Sequence, residues 1–393
     1  MILDKLFQVM ADRQASDIFI SAGTAIHIKI HGVTVPVNQQ MMEPAMIEKI
    51  ASELMNPEQA EIFATTREMN LSFGVPKLGN FRINLFRQRG SISIVIRYIL
   101  GNIPSLESLL LPPVLADLVM EKRGLILIVG STGSGKSTTL ASMLDYRNSN
   151  AAGHILTIED PIEYLFRHKK SIVNQREIGM DTLGWNQALK NAMRQAPDCI
   201  LIGEIRDKET MQAAIAYAQT GHLCLGTLHA NNSYHALNRM INFFPLENRD
   251  SLYMDLSVSL RAIVSQRLVK RKDGKLMAAV EVLLNSFHVQ DLIERGDIPA
   301  LKEAMEQSMA PGSQTFEQDL FRLYRSETIS LEEALRNADS PTNLSWLINN
   351  EAPSLVVQEE KQPEDFAFNP SISNPGGPSY KEFTLSLYDG DES

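Results

Sequence analysis

The stretch Gly124-Leu-Ile-Leu-Ile-Val-Gly-Ser-Thr-Gly-Ser-Gly-Lys-Ser137, GLILIVGSTGSGKS, decides how the rest of the chain is read. Its first half is a short unbroken apolar run, the pattern of a strand buried on both faces. Its second half, Gly130 to Ser137, matches G-x-x-x-x-G-K-[ST]. Thr138 to Asp145 then has helical character, so the match sits in a strand–loop–helix context. Each residue type has a reason. Glycines let successive backbone N–H groups curl round phosphate oxygens, and the following helix adds a partial positive charge at its N-terminus. Lys136 is placed to reach the β- and γ-phosphates, and the Ser137 hydroxyl to ligate Mg²⁺. A chance match in a chain of this length is expected about once in a hundred sequences. Gly130, Ser131, Thr132, Gly133, Ser134, Gly135, Lys136, Ser137 and Thr138 are therefore read as a nucleotide cradle, with ATP and Mg²⁺ as the implied cofactors.

Outward from this loop, the 393 residues are too many for one ordinary core. Residues 1–98 read as a small α+β domain. It opens with an amphipathic helix, continues through Asp17–Ile20 and the alternating Ile26, Ile28 and Ile30, and has a helix near 44–55. Strands over 80–86 and 91–97 follow, joined by a turn at Gln88-Arg-Gly90. Residues 99–113 hold Pro104, Pro112 and Pro113 and read as a linker. Residues 114–283 alternate apolar strands with helical stretches, an α/β domain with a mostly parallel sheet. Residues 284–348 are mostly helical. Residues 349–393, rich in Pro, Gly, Ser and acids, are expected to be disordered.

Composition narrows the function classes. The net charge is −10, and residues 351–393 carry −7 of it through nine acids and two bases. The remaining body is near −3, which gives no electrostatic drive toward nucleic acid. No apolar run reaches the roughly 20 residues that span a bilayer. Asp4 and Lys5 interrupt the first apolar segment, so it does not read as a signal peptide. Cys199 and Cys224 sit in apolar runs without zinc spacing, as reduced core residues of a cytosolic protein.

A phosphate cradle needs carboxylates nearby to hydrolyse ATP. Two strand ends supply them. His154-Ile-Leu-Thr-Ile-Glu-Asp-Pro-Ile-Glu163 ends in Glu159, Asp160 and Glu163, and Cys199-Ile-Leu-Ile-Gly-Glu-Ile-Arg-Asp207 ends at Glu204. Ligands of parallel sheets bind beyond the carboxyl ends of strands, so these ends are expected to share one crevice with the cradle. Glu204, directly after its strand, suits a metal or water role, whereas Asp207 reads as the N-cap of the next helix. A third strand ends in Thr227-Leu-His229, which suits His229 to sensing phosphate, and His222 precedes that strand.

In order along the chain, the P-loop, E-D-P-x-E, G-E-I-R-D and T-G-H…T-L-H resemble the secretion-type ATPases of type IV pili and type II secretion. The resemblance covers about residues 1–345. It is closest to the PilT/PilU retraction ATPases through Ala15-Ser-Asp17, Val173-Asn-Gln-Arg-Glu177 and Ile263-Val-Ser-Gln266. It implies a homo-hexamer whose subunits pair an N-terminal PAS-like domain with a C-terminal RecA-like ATPase domain, with ATP between them. It implies Glu163 as general base, Glu204 as support for Mg²⁺ and the attacking water, and His229 as γ-phosphate sensor. Arg82, Arg97 and Arg89 match the N-terminal arginines that reach nucleotide, with Arg206 and Arg239 as further candidates. Arg97 also lies on the strand face opposite Ile92, Ile94 and Ile96.

Three departures stand out. Ala196 replaces an acid usual in PilT-like proteins, Asn80 replaces an arginine, and Ser286–Arg295 occupies the place of the A-I-R-N-L-I-R-E box. With the acidic tail they favour a PilU-like role. The implied setting is cytoplasmic, at the inner face of the inner membrane, with PilT and the pilus platform protein as partners and membrane association only through them. The rival readings are an ATP-binding scaffold ring and a DNA-translocating motor. A partner-binding motif is expected at 380–388, where Tyr380, Phe383, Leu385, Leu387 and Tyr388 cluster.

Overall fold

A computed structural model describes residues 2–350, except 14, 31, 76–77, 100–101 and 309. The acidic tail and its 380–388 motif lie outside the described residues.

The N-terminal part contains α1 (Ile2–Asp12), β1 (Asp17–Ile20), β2 (Ala25–Ile30), β3 (Val33–Met41), α2 (Pro44–Leu54), α3 (Pro57–Thr66), β4 (Glu68–Val75), β5 (Gly79–Gln88) and β6 (Ser91–Ile99). The strands form one antiparallel sheet in the order β3-β2-β1-β6-β5-β4. Alternation sets its buried face: Phe81, Ile83 and Leu85 of β5 and Ile92, Ile94 and Ile96 of β6 are buried. Leu3, Leu6, Phe7 and Met10 follow the helical i, i+3, i+4, i+7 spacing and cover that face, with Phe7 stacked on Phe81 at 4.2 Å between ring centroids. Arg89 and Gly90 both have positive φ, 46° and 80°, between the paired Gln88 and Ser91. This is the tight two-residue hairpin turn that the strand twist favours.

Segment 102–113 has no regular helix or strand, yet Leu106 and Leu111 are buried in the core of the following domain. From there come α4 (Val114–Met120), β7 (Gly124–Gly130), α5 (Lys136–Asn150), β8 (Gly153–Glu159), β9 (Ser171–Glu177), α6 (Trp185–Ala192), β10 (Cys199–Ile202), α7 (Lys208–Gln219), β11 (Leu223–Leu228), α8 (Ser233–Asn242), α9 (Arg249–Ser259), β12 (Leu260–Lys270) and β13 (Leu276–Leu284). The sheet order is β13-β12-β7-β11-β10-β8-β9, parallel throughout except for the β12–β13 hairpin. Every residue of β7, β10 and β11 is buried, which is why these strands read as continuous apolar runs. Cys199 and Cys224 are free thiols within this core.

Helices α10 (Phe287–Glu294), α11 (Leu301–Glu306), α12 (Phe316–Arg325), α13 (Leu331–Asn337) and α14 (Pro341–Asn349) complete the described chain. The buried Asp319 of α12 accepts from the Val280 N–H of β13 at 2.8 Å and pairs with Arg322 at 2.6 Å, tying these helices to the sheet. Replacing Phe81 by Ala, which empties the centre of the N-terminal core, is expected to destabilise it by about 3–5 kcal/mol in urea unfolding.

Candidate nucleotide site

The parallel register brings four strand ends to the same edge of the sheet. Ile158 pairs with Ile202, Ile202 with Gly226, and Leu228 with Val129. Glu159 closes β8 and Gly130 closes β7, while Gly203 follows β10 and His229 follows β11 directly. The ends are cross-tied: Gly203 N–H donates to Ile158 O at 2.8 Å, Ile205 N–H to Thr227 O at 2.8 Å, and the Thr227 hydroxyl to Gly203 O. A side chain at 203 would stand 3.1 Å from Glu159 Cα and from Ile158 O. Glycine at this point lets the two acid-bearing strand ends lie side by side.

A cleft of about 280 Å³ opens between these ends and the P-loop. Thr132, Gly133, Lys136, Ser137, Glu159, Asp160, Glu163, Glu204, Thr227 and His229 line its polar part, and Leu140, Ala141, Phe166 and Leu201 its apolar wall. The loop follows β7 as the pattern requires, with Gly133 and Gly135 at φ 78° and 91°. At Gly130 a Cβ would meet Ser134 Oγ at 2.3 Å and Gln266 O at 2.7 Å, so glycine is required. Lys136 Nζ donates to Gly130 O at 3.0 Å and Ser131 O at 2.9 Å, bonds to its own loop that an anion in the cradle would replace. The buried Ser134 Oγ has no hydrogen-bond partner. Among the described residues no cluster of three or more His, Cys, Asp or Glu side chains would hold a metal ion alone. Ser137 and Glu204, which both line the cleft, are the oxygen donors that could hold a Mg²⁺ beside nucleotide phosphates.

Burial lowers the Lys136 pKa from its ordinary value, and the Glu204 and Glu163 charges oppose that shift. His229 Nε2 lies 3.5 Å from Glu204 Oε1. Burial, and then the Lys136 charge, lower the His229 pKa, with Glu204 pulling the other way. The balance favours the neutral imidazole. Arg239 Nη1 donates to His229 O at 2.9 Å, fixing the loop after β11.

The other candidates stand apart from the cleft. Arg97 Nε pairs with Asp17 Oδ1 at 2.8 Å within the N-terminal sheet, Arg82 Nη1 lies 3.9 Å from Glu177 Oε1, and Arg89 is at a hairpin tip. Arg206 lies over the Trp185 ring, 5.7 Å from its centroid. Asp207 caps α7, accepting from Thr210 N–H at 2.9 Å. His222 and Ala196 lie at the amino ends of β11 and β10, so Ala196 is a strand length, ~13 Å, from the Glu204 end. Ala196 has a left-handed backbone, φ 47°, and its carbonyl faces His154 Nδ1 at 3.3 Å.

Sequence reading gave too little weight to Glu159, Thr227 and Tyr164. Burial, reinforced by the Glu163 charge, pushes the Glu159 pKa up to about 7, against hydrogen bonds from Thr157 at 2.6 Å and Gln175 at 3.2 Å. The Tyr164 hydroxyl shares a hydrogen bond with Thr138 Oγ1 at 2.9 Å, joining the acidic loop to the P-loop. Only the crowding of acids after β8 signalled Glu159, and nothing in the sequence singles out Tyr164.

Residues 1–289 match the family model described as type II/IV secretion system protein. The chain belongs to that family. The type IV pilus ATPase PilU of Pseudomonas aeruginosa is 47% identical over 349 residues, covering 88% of this chain and 91% of that one. The type IV pilus retraction ATPase PilT of the same organism is 38% identical over 343 residues, covering 87% of this chain and all of PilT. A crystal structure of the pilus retraction motor PilT with bound ADP superposes with a TM-score of 0.81 at 38% identity, covering 87% of this chain and 98% of that one. The resemblance to the PilT/PilU family and the expected two-domain α/β fold are both borne out.

The raised Glu159 pKa has a stability consequence. The folded state holds this proton up to about pH 7, whereas the unfolded chain releases it near 4.5, so the protein loses stability as pH rises between these values. Glu159→Gln is therefore expected to raise the melting temperature of the nucleotide-free protein at pH 8, with the gap narrowing toward pH 5 in thermal scans.

Proposed function

We propose that this protein is a Mg²⁺-dependent ATPase motor of type IV pili. It works as a homo-hexamer in pilus retraction, alongside PilT and the inner-membrane platform, at the cytoplasmic face. The observation that carries the ATPase reading is the meeting of Lys136, Ser137, Glu163, Glu204 and His229 round one cleft at the carboxyl edge of the sheet. The 47% identity to a protein named as the type IV pilus ATPase PilU supports the pilus assignment. A neighbour solved as the retraction motor PilT supports retraction.

In this reading the P-loop N–H groups and Lys136 bind the phosphates, and the lysine neutralises charge that builds on the γ-phosphoryl group. Bound Mg²⁺ would supply charge neutralisation at the β- and γ-oxygens. Glu163 accepts a proton from the attacking water. Glu204 orients that water and the metal side, and His229 presents a neutral N–H to the γ-phosphate. The apolar wall of Leu140, Ala141, Phe166 and Leu201 limits competing water at the back of the cleft.

Steady-state phosphate release by the purified full chain tests the reading. Glu204→Gln and Glu163→Gln are each expected to lower kcat by about a hundredfold or more, and Lys136→Ala to abolish nucleotide binding in a fluorescent-ATP titration. Equal release by wild type and Glu204→Gln would leave an ATP-binding scaffold. A retraction assay in cells expressing the chain with and without PilT then decides whether its work depends on that partner.

A further inference from the structure

We propose that Glu177, at the carboxyl end of β9, is a positioning residue that couples the N-terminal sheet to the loop bearing Glu163. This rests on the reading of Glu163 as the base that activates water. The segment from Asp160 to Phe166 has no helix or strand of its own, so its backbone groups need partners from elsewhere. Two side chains of β9 provide them. Glu177 Oε2 accepts from Ile162 N–H at 3.1 Å, immediately before Glu163. Gln175 accepts from Phe166 N–H at 2.9 Å and donates to Tyr164 O at 2.8 Å, immediately after it. Glu163 is thus bracketed on both sides by one strand.

Glu177 is 6% exposed, and a carboxylate at that depth needs a compensating partner. Its second oxygen supplies the link outward: Arg82 Nη1 lies 3.9 Å from Oε1. Arg82 belongs to β5 of the N-terminal sheet, directly across from Arg97 of β6. Arg97 is already paired with Asp17 inside that sheet, so of the two arginines it is Arg82 that extends to the ATPase sheet. One carboxylate therefore holds a cation from the N-terminal sheet on one oxygen and the backbone of the catalytic loop on the other. Displacement of the N-terminal sheet changes the pull on Glu177, and the Ile162 hydrogen bond passes that change to Glu163.

The variants separate the two halves of the link. Glu177→Gln keeps an oxygen for Ile162 N–H but loses the charge that holds Arg82, Glu177→Ala loses both, and Arg82→Gln removes the cation. Steady-state ATPase assays of the full chain are expected to show kcat about threefold to tenfold lower for Arg82→Gln and for Glu177→Gln, with KM within twofold of wild type. The double variant is expected to be no slower than the worse single one, because the two act through one link. Losses that multiply in the double variant, or a raised KM in Arg82→Gln alone, would mean that Arg82 meets nucleotide directly and would overturn the proposal. So would a wild-type kcat for Glu177→Ala. Glu163→Gln at the wild-type rate would instead remove the base assignment, a separate result because it touches neither Arg82 nor Glu177.

Discussion

The site depends on one constraint, the parallel register of β7, β8, β10 and β11. Because Ile158, Ile202, Gly226 and Leu127 pair abreast, the four strands run out at the same edge of the sheet. Each then contributes a different chemical group: a phosphate loop, a carboxylate loop, a second carboxylate and an imidazole. A shift of one residue in any strand would turn its side chains to the other sheet face and put its terminal group out of reach. The close packing of β7, β10 and β11, buried on both faces, and the cross-ties at Gly203, Ile205 and Thr227 hold that register. The core that stabilises the domain is therefore the same feature that aligns the site.

Bringing Glu159, Glu163 and Glu204 to one cleft has an electrostatic cost, which burial of Glu159 and the charge of Lys136 offset. Glu159 lies at the back, where burial and the neighbouring Glu163 favour its protonated form up to about pH 7. Lys136 provides positive charge that Glu204 and Glu163 help to maintain against burial. The same ammonium helps keep His229 neutral.

Much of this was legible in the sequence because the deciding residues sit in local patterns. Strand–loop–helix at Gly124–Asp145, acids directly after short apolar runs, and Asp207 just ahead of a helical stretch each declare themselves locally. What was missed depends on residues far apart in the chain. β3 and β4 are missing from the sequence reading although Val33, Val35 and Val37 and Met69, Leu71, Phe73 and Val75 alternate at a two-residue period; both are edge strands, and of these side chains only Leu71 is fully buried. β9 shows only as a short polar motif, yet its Gln175 and Glu177 hold a loop that begins ten and more residues earlier. The arginines show the limit most clearly. Strand parity put Arg97 on the face away from the core, but only the folded chain shows Asp17 beside it.

The departures from PilT-like sequences acquire a physical meaning from their places. Ala196 stands at the amino edge of β10, away from the carboxyl edge where the cleft opens, so its effect on the site can reach Glu204 only through the strand. The Ser286–Arg295 segment forms α10, with the Ser286 hydroxyl accepting from Val289 N–H and Phe287 87% exposed at its start. That helix packs on α9 rather than on the loops of the cleft. The elements that do touch the cleft loops from outside lie elsewhere. Asp339, just beyond α13, accepts from Asn232 Nδ2 at 2.8 Å and pairs with Arg267, whose guanidinium also bonds Asn231 O and lies over Phe316. Glu281 of β13 accepts from Ser233 N–H at 2.7 Å and so holds the start of α8, the helix whose Arg239 fixes His229. The loop and helix after His229 are thus held from β13 and from Asp339, and the loop bearing Glu163 is held from β9.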